Sequence, residues 1–409
     1  MVVASLPAYG VAPSEVLDPL HSGDASLLDE QTGLALVGRR VAILNWREPG
    51  QSVAGGAEVY AWNVAKALVA AGAYVDFYSS REPGQPKRSV VDGITIYRQG
   101  GFYDVYARTA LKVWRRRHHY DLVIDAENGV PFFAPLYLRS VPVVLLLHHV
   151  HQDQFGVHMG PLHTFVARFI EGRLMPWAYS RHEAIAVSPS TRDSMRRRLG
   201  WRGPIDVIEN GSPSPRPHRA QDPTAVLRVC ALGRLVAHKR VDRVIEAVCQ
   251  LHARGVPVHL DVVGRGYDEE ILNDLVRARG AEELVTMHGF LDEERKIEVL
   301  QSADVHVCWS DGEGWGQVVL EAAAVGVPTI GRRVTGLQDA IVDGVTGWLV
   351  DDIDGLADAL QAVRSRLADP QQRAELAAEC RMRAYDFSWP RMQRAVREYV
   401  AARLITSAD

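Results

Sequence analysis

Two successive series of short apolar strands alternate with segments of helical period, and a single Pro- and Gly-dense stretch separates them. This order predicts an α/β protein of two domains with parallel sheets. Two further observations agree. The chain has 409 residues, room for two or three domains at about 150 residues each. Its most apolar run, Val141-Pro-Val-Val-Leu-Leu-Leu147, is hydrophobic on both faces, as a strand between two helix layers must be.

The first series begins with the strand Arg40–Leu44. A Gly/Pro-rich loop leads to a helix over Ala57–Ala71 and a strand over Tyr74–Tyr78, which together make a βαβ unit. The pattern continues with a strand at Ile94–Tyr97, a helix near 103–116 and a strand at Asp121–Asp125. After the Val141–Leu147 strand come a helix over 161–180, a strand at Ala184–Val187, a helix from Thr191 and a strand at Ile205–Ile208. Residues 1–38 have no sustained period and read as a partly ordered extension. The segment Asn210–His218 is dense in Pro and Gly, so it can cross between cores without breaking a strand ladder.

The second series has strands at Leu227–Leu232, Val258–Val263, Leu284–His288, Val305–Trp309, Thr329–Ile330 and Trp348–Val350. Helices are expected over Val241–Arg254, Asp268–Arg279, Asp292–Gln301 and Val318–Val325, then over Ile353–Leu367, Pro370–Tyr385 and Ser388–Leu404. The predicted units are an extension over 1–38, a first Rossmann-like domain over 39–212, to which the last helix (388–405) returns, and a second over 213–387. In such a pair, ligands bind in the crevice beyond the carboxyl ends of the strands.

Composition excludes several classes. With 46 Lys+Arg against 50 Asp+Glu, the net charge of -4 gives no reason to expect a nucleic-acid partner. The four cysteines form no CxxC pair and read as buried side chains in a reducing compartment. No run reaches the length of a membrane span, and the N-terminus lacks a signal pattern, so a cytoplasmic protein is expected. Neither GxGxxG nor GxxxxGK[ST] occurs, which counts against nicotinamide, flavin and P-loop enzymes.

Four strand-to-helix junctions can carry chemistry. The loop Gly50-Gln-Ser-Val-Ala-Gly55-Gly56-Ala57-Glu58 opens the first helix, and its paired glycines allow close backbone approach to a ligand. The run Leu147-His148-His149-Val150-His151 groups three imidazoles at the end of the most buried strand. Its spacing supports no zinc motif, so a substrate-contacting histidine is preferred to a metal site. In Gly233-Arg234-Leu-Val-Ala-His-Lys239, two cations sit beside a helix N-terminus. That placement opposes the helix dipole unless a diphosphate fills the gap. In Ser310-Asp-Gly-Glu313-Gly314-Trp315-Gly316-Gln317, backbone donors lie near a carboxylate able to accept from sugar hydroxyls. Glu321 lies in an otherwise apolar helix and needs a partner, either a ribose diol or a salt bridge. Asp352-Ile353-Asp354 spells DxD, but helix capping is the simpler account.

Taken together, these segments resemble the retaining glycosyltransferases of the GT-B type, glycosyltransferase family 4. The similarity spans about residues 40–400 and is carried by Gly233–Lys239, by the Glu313-to-Glu321 spacing and by Gly344-Val-Thr-Gly347. Gly55-Gly56-Ala57-Glu58 and Glu209-Asn210-Gly211 also fit. The resemblance implies a GT-B fold in which two Rossmann-like domains face each other across a deep cleft. It implies that Arg234 and Lys239 hold the donor diphosphate and that Glu313 contacts the transferred sugar. Gly314, Trp315 and Gly316 present backbone donors, Glu321 holds the ribose, and Gly289-Phe290 lies by the base. Gly55, Gly56 and Gln317 complete the donor set, and His148 lies near the donor sugar, with His149 as its alternative. Two departures stand out. Thr335-Gly336-Leu337-Gln338-Asp339 replaces a Gly-Gly-x-x-Glu loop, and Trp315 occupies a common Phe position, where it could narrow the sugar pocket.

The implied function is transfer of a hexose-like sugar from a UDP- or GDP-sugar to an acceptor hydroxyl, with retention and without a required metal or tightly bound cofactor. The acceptor is a small molecule or is lipid-linked, and the enzyme is a monomer or homodimer, cytoplasmic or peripheral to the inner membrane face. A sugar phosphorylase, a nucleotide-sugar epimerase and a non-catalytic nucleotide-sugar-binding protein are the alternatives on the same scaffold.

Overall fold

A computed structural model describes residue 32 and residues 34–406, apart from 52, 53, 102, 159, 217–225 and 353. Most of the 1–38 extension and part of the linker expected over 210–218 therefore lie outside the described residues. The end of the extension belongs to the first domain, because Leu36 is fully buried in its core.

The first sheet contains β1 (Arg40–Leu44), β2 (Tyr74–Ser79), β3 (Arg88–Val91), β4 (Ile94–Arg98), β5 (Leu122–Glu127), β6 (Val143–Leu147), β7 (Glu183–Ala186) and β8 (Ile205–Val207). Their order is β3-β4-β2-β1-β5-β6-β7-β8. Only the β3–β4 pair is antiparallel. Strand β3 was not expected from the sequence. It forms a hairpin through Asp92 and Gly93, both at positive φ, and an Asp-Gly pair between β-branched residues is the signal that marks it. The second sheet contains β9 (Leu227–Leu232), β10 (Val258–Val263), β11 (Val285–Gly289), β12 (Val305–Cys308), β13 (Thr329–Arg332) and β14 (Gly347–Val350), in the order β11-β10-β9-β12-β13-β14.

Side-chain alternation explains why the central strands β1 and β6 are apolar on both faces. In β1, Val41 and Ile43 enter one helix layer while Ala42 and Leu44 enter the other; Val144 and Leu146 of β6 divide from Val143, Leu145 and Leu147 in the same way. Each buried Val, Leu or Ile among them contributes about 1.5–3 kcal/mol, so both faces bind the sheet to its helices. The last helix, Trp389–Thr406, places Met392, Val396, Val400 and Leu404 in the first core beside Tyr60, Val64 and Leu68. Its apolar positions recur every four residues, one face of a helix.

Three local expectations are corrected. The helix expected over 161–180 runs unbroken over 161–178 but is not α-helical throughout: Pro161–Phe169 passes into the π-helical turn Ile170–Leu174 and then Met175–Ala178. Asp352 does not cap the following helix. It accepts from the Asp354 N–H at 3.0 Å in a local turn, and the helix starts at Leu356 behind Gly355. Of the four cysteines, all free, Cys249 is only partly buried. Among the described residues, no helix is long and apolar enough to cross a membrane.

Both sheets reverse strand order once, between β1 and β5 and between β9 and β12. The loops leaving β9 and β12 are Gly233–Lys239 and Ser310–Gln317, two of the four junctions singled out above. A crevice at such a reversal is where open α/β sheets bind ligands.

Candidate active site

Gly233, Arg234, Lys239 and Ser310, at the ends of β9 and β12, border a small hollow whose remaining lining is mostly apolar, with Leu235, Val244 and Trp309. Lys239 sits on a short turn, Ala237–Lys239, ahead of the helix Val241–Ala253. Its ammonium donates to Glu313, which also accepts from the Ser310 hydroxyl at 2.6 Å. Burial acts to raise the Glu313 carboxyl, but Lys239 and Ser310 outweigh it and hold the group at about 2. Arg234 is exposed at the rim and has no ion-pair partner among the described residues. Its Nε lies 3.5 Å from where a Gly55 side chain would begin.

The sign of the Glu313 shift sets a pH window. Its stabilising contribution is complete above pH 4.5, the group's ordinary value, and is lost as pH falls toward 2. Urea midpoints measured across that window should fall less steeply for Glu313→Gln than for the native chain. Parallel slopes would remove the assigned ion pair.

Glu321 is placed differently. It lies in the helix Gln317–Ala324, about 6 Å along the axis from its first residue. The carboxylate is 2.8 Å from Lys296, which also holds Glu293 at 2.8 Å. Burial raises the Glu321 carboxyl and Lys296 opposes that rise. These groups line a second hollow with Ser214 and Arg216. Of the two partners considered for Glu321, the protein itself supplies the salt bridge.

The histidines come from the facing domain. His148 is buried, its ring edge-on to Tyr60 at 5.4 Å, and Nε2 has no hydrogen-bond partner. His149 turns toward Gly312, with its ring 3.5 Å from that residue's side-chain position, and its Nδ1 is also unpartnered. Burial, reinforced by His151, pushes both imidazoles down to about 3, so both are neutral near pH 7. They can exchange hydrogen bonds with hydroxyls but do not add positive charge.

The domains meet closely here. A side chain on Gly314 would begin 2.1 Å from the His148 carbonyl oxygen, which only glycine permits. Thr191 donates to the Gly314 carbonyl at 3.2 Å. The departing loop Thr335–Asp339 serves this contact: Gly336 N–H donates to Ser190 Oγ at 2.9 Å, and Asp339 accepts from Ser190 N–H at 3.1 Å. Gly316, at φ 90°, starts the helix that carries Glu321. Gly56 faces the first residue of that helix, Gln317, whose amide is held by Asn210 at 3.3 Å and by the Gly211 carbonyl at 2.8 Å.

Trp315 and the end of β11 are placed as follows. The Trp315 ring is buried against Phe387 at 4.8 Å, so its bulk fills the core behind the loop and does not narrow a sugar pocket. At the end of β11, His288 binds Asp261 at 2.7 Å, Gly289 lies near the Arg265 side chain and Phe290 is exposed. Sequence reasoning missed Arg47. It follows β1, stacks on Trp46 at 3.9 Å and pairs with Glu58 at 3.2 Å. Glu58 in turn accepts from Gly55 N–H at 2.6 Å, so this pair shapes the glycine loop. Burial lowers the Arg47 pKa, and Arg234 across the cleft acts in the same direction. The basic run near 115 is partly tied down, with Arg116 3.0 Å from Asp76.

Comparisons with known proteins agree with this architecture. The family model for glycosyl transferases group 1 matches residues 220–385, and that for glycosyltransferase family 4 matches residues 54–213. The chain is 30% identical over 290 residues to a glycogen synthase of Mycobacterium tuberculosis, covering 69% of each chain. It is 28% identical to a D-inositol 3-phosphate glycosyltransferase of Arthrobacter over 86% of this chain and 92% of the relative. Among solved structures, sucrose-phosphate synthase from Thermosynechococcus elongatus superposes with a TM-score of 0.76 at 21% identity, covering 91% and 100% of the two chains. Anabaena Alr3699/HepE in complex with UDP-glucose gives 0.67 at 18% identity, covering 89% and 99%.

Proposed function

Because the chain belongs to the family 4 and group 1 glycosyltransferases, enzymes that move a sugar from a nucleotide diphosphate sugar to an acceptor, we propose that its donor diphosphate sits between Arg234 and Lys239. The observation that supports this most is the hollow joining Gly233, Arg234 and Lys239 to Ser310 at the strand-order reversal. Charge grows on the diphosphate as the glycosidic bond breaks, and cations already held in place meet it without reorganising. Glu313 contacts the sugar hydroxyls while sharing Lys239. The N–H groups of Gly314, Trp315 and Gly316 point the start of a helix at the same charge. Neutral His148 or His149 supplies a hydrogen bond to the sugar from the opposite wall.

Glu321 takes the ribose in this reading, with Lys296 keeping its carboxylate charged and oriented. Glu321→Gln should weaken nucleotide diphosphate binding by about 10-fold, the value of one charge-assisted hydrogen bond. Equal affinity by calorimetry would remove the ribose assignment. The base lies along Gly289 and Phe290, and Gly55, Gly56 and Gln317 border the donor at the domain boundary. Retention follows if the acceptor hydroxyl attacks from the face that the diphosphate leaves, its proton passing to the departing phosphate.

The relatives are named as a glycogen synthase, a D-inositol 3-phosphate glycosyltransferase and a putative colanic acid biosynthesis glycosyltransferase, which supports a polyhydroxylated acceptor. The helix Pro161–Phe169 exposes Leu162, Phe165, Val166 and Phe169 on one face, with Arg168 and Arg173 nearby. That stripe supports an enzyme able to approach a membrane for a lipid-linked acceptor; absence from sedimented anionic vesicles would remove the approach. A thermal-shift panel of UDP-, GDP-, ADP- and dTDP-sugars tests the whole reading. One donor should stabilise strongly and then yield free nucleotide only with acceptor present. No shift with any donor would overturn it.

A further inference from the structure

A second polar cluster, which the transfer chemistry does not use, lies at the carboxyl ends of β5 and β6. Glu127 ends β5, His151 follows β6 by four residues, and Glu171 projects from the π-helical turn Ile170–Leu174. One nitrogen or oxygen from each lies within 4.8 Å of the other two. His151 Nδ1 is 3.4 Å from Glu171 Oε1 and 3.8 Å from Glu127 Oε1. Both carboxylates are fully buried. Glu127 Oε2 and His151 Nδ1 have no hydrogen-bond partner.

From this geometry we infer that Glu127, His151 and Glu171 form a binding site for one divalent transition-metal ion of the Zn²⁺ or Mn²⁺ class. Such an ion, bound at about 2.1 Å, sets its ligand atoms about 3.0–3.4 Å apart. The two separations from His151, 3.4 and 3.8 Å, need only a few tenths of an ångström of closure, and the two carboxylates lie within 4.8 Å of each other.

The supporting contacts are those of a metal site. Gly129 N–H donates to Glu127 at 2.5 Å, His151 N–H to Glu171 at 2.5 Å, and Gln152 to the other Glu171 oxygen at 2.6 Å. These bonds aim both carboxylates and leave Glu127 Oε2 available. The extra residue of the π turn shifts the helix phase so that Glu171 faces inward, and such insertions recur at functional sites. Two buried carboxylates facing a single imidazole need a further positive charge, an ion or a shared proton, to balance them. The ion takes no part in bond-making. It ties β5, the histidine loop and the following helix into one wall on the first-domain side of the cleft.

The test uses the full chain, stripped with EDTA, titrated separately with ZnCl₂ and MnCl₂ without nucleotide sugar, then desalted and analysed for metal. One retained equivalent of either ion, with a raised Tm, is expected. Glu171→Gln and His151→Ala should each weaken that binding by at least about 100-fold while UDP binding stays unchanged. No retained ion in the native chain overturns the inference whether or not the variants fold. Equal retention by folded variants also overturns it, as an adventitious surface metal. Because ion content is read without donor, its failure is distinct from failure of the transferase reading.

Discussion

Lys239→Ala is expected to lower kcat by about 10²–10³-fold, the usual cost of removing one preorganised donor from developing charge. Lys239 is also the partner that keeps Glu313 ionised against the effect of burial. Its loss therefore leaves a mostly buried carboxylate uncompensated, at a cost of about 3 kcal/mol in stability. The double variant Lys239→Ala/Glu313→Gln separates the two roles. It should regain most of the stability, since no charge is stranded, and regain none of the turnover. Native kinetics in a folded Lys239→Ala protein would end the diphosphate assignment. Recovery of both stability and turnover in the double variant would show that the cation serves only Glu313.

Gly314→Ala is expected to cost about 100-fold in kcat/KM although it adds a single methyl group. That methyl would begin 2.1 Å from the His148 carbonyl oxygen, so loop and histidine must part by more than an ångström. A displacement of that size between reacting groups is worth about two orders of magnitude. Nucleotide binding, which the proposed function assigns mainly to second-domain groups, should change only a few-fold. Gly312→Ala is the control, because its methyl would meet the His149 ring at an ordinary 3.5 Å. Near-native kinetics in Gly314→Ala, or equal damage from both substitutions, would mean that this approach of the domains does not govern the reaction.

Much of the architecture was legible because parallel strands under helices on both sides must be apolar at every position. That signal marked β1, β6 and β9–β12 closely. It was weak for β3, an edge strand with exposed Val90 and Val91, where only the Asp-Gly turn betrayed the hairpin. The π turn at Ile170–Leu174 was invisible because an inserted helical residue leaves the apolar pattern nearly intact over so short a segment. At the site, Arg234, Lys239 and Glu313 were readable as cations and a carboxylate on adjoining strand ends. Glu321 was recognised as needing a partner, but Lys296 comes from another helix and no local spacing connects them. Trp315 shows the same limit, since its neighbour Phe387 lies seventy-two residues away.

By itself, then, the sequence determined two parallel-sheet domains and the residue types at the four strand-to-helix junctions, because burial and backbone chemistry act over a few neighbouring residues. Tertiary structure alone decided that Lys239 meets Glu313, that Glu321 meets Lys296, that Gly314 touches the His148 carbonyl, and that Glu127, His151 and Glu171 converge. Those contacts depend on the order of strands and on how two separately folded domains approach each other, and distances of a few ångströms between remote segments leave no trace in local periodicity.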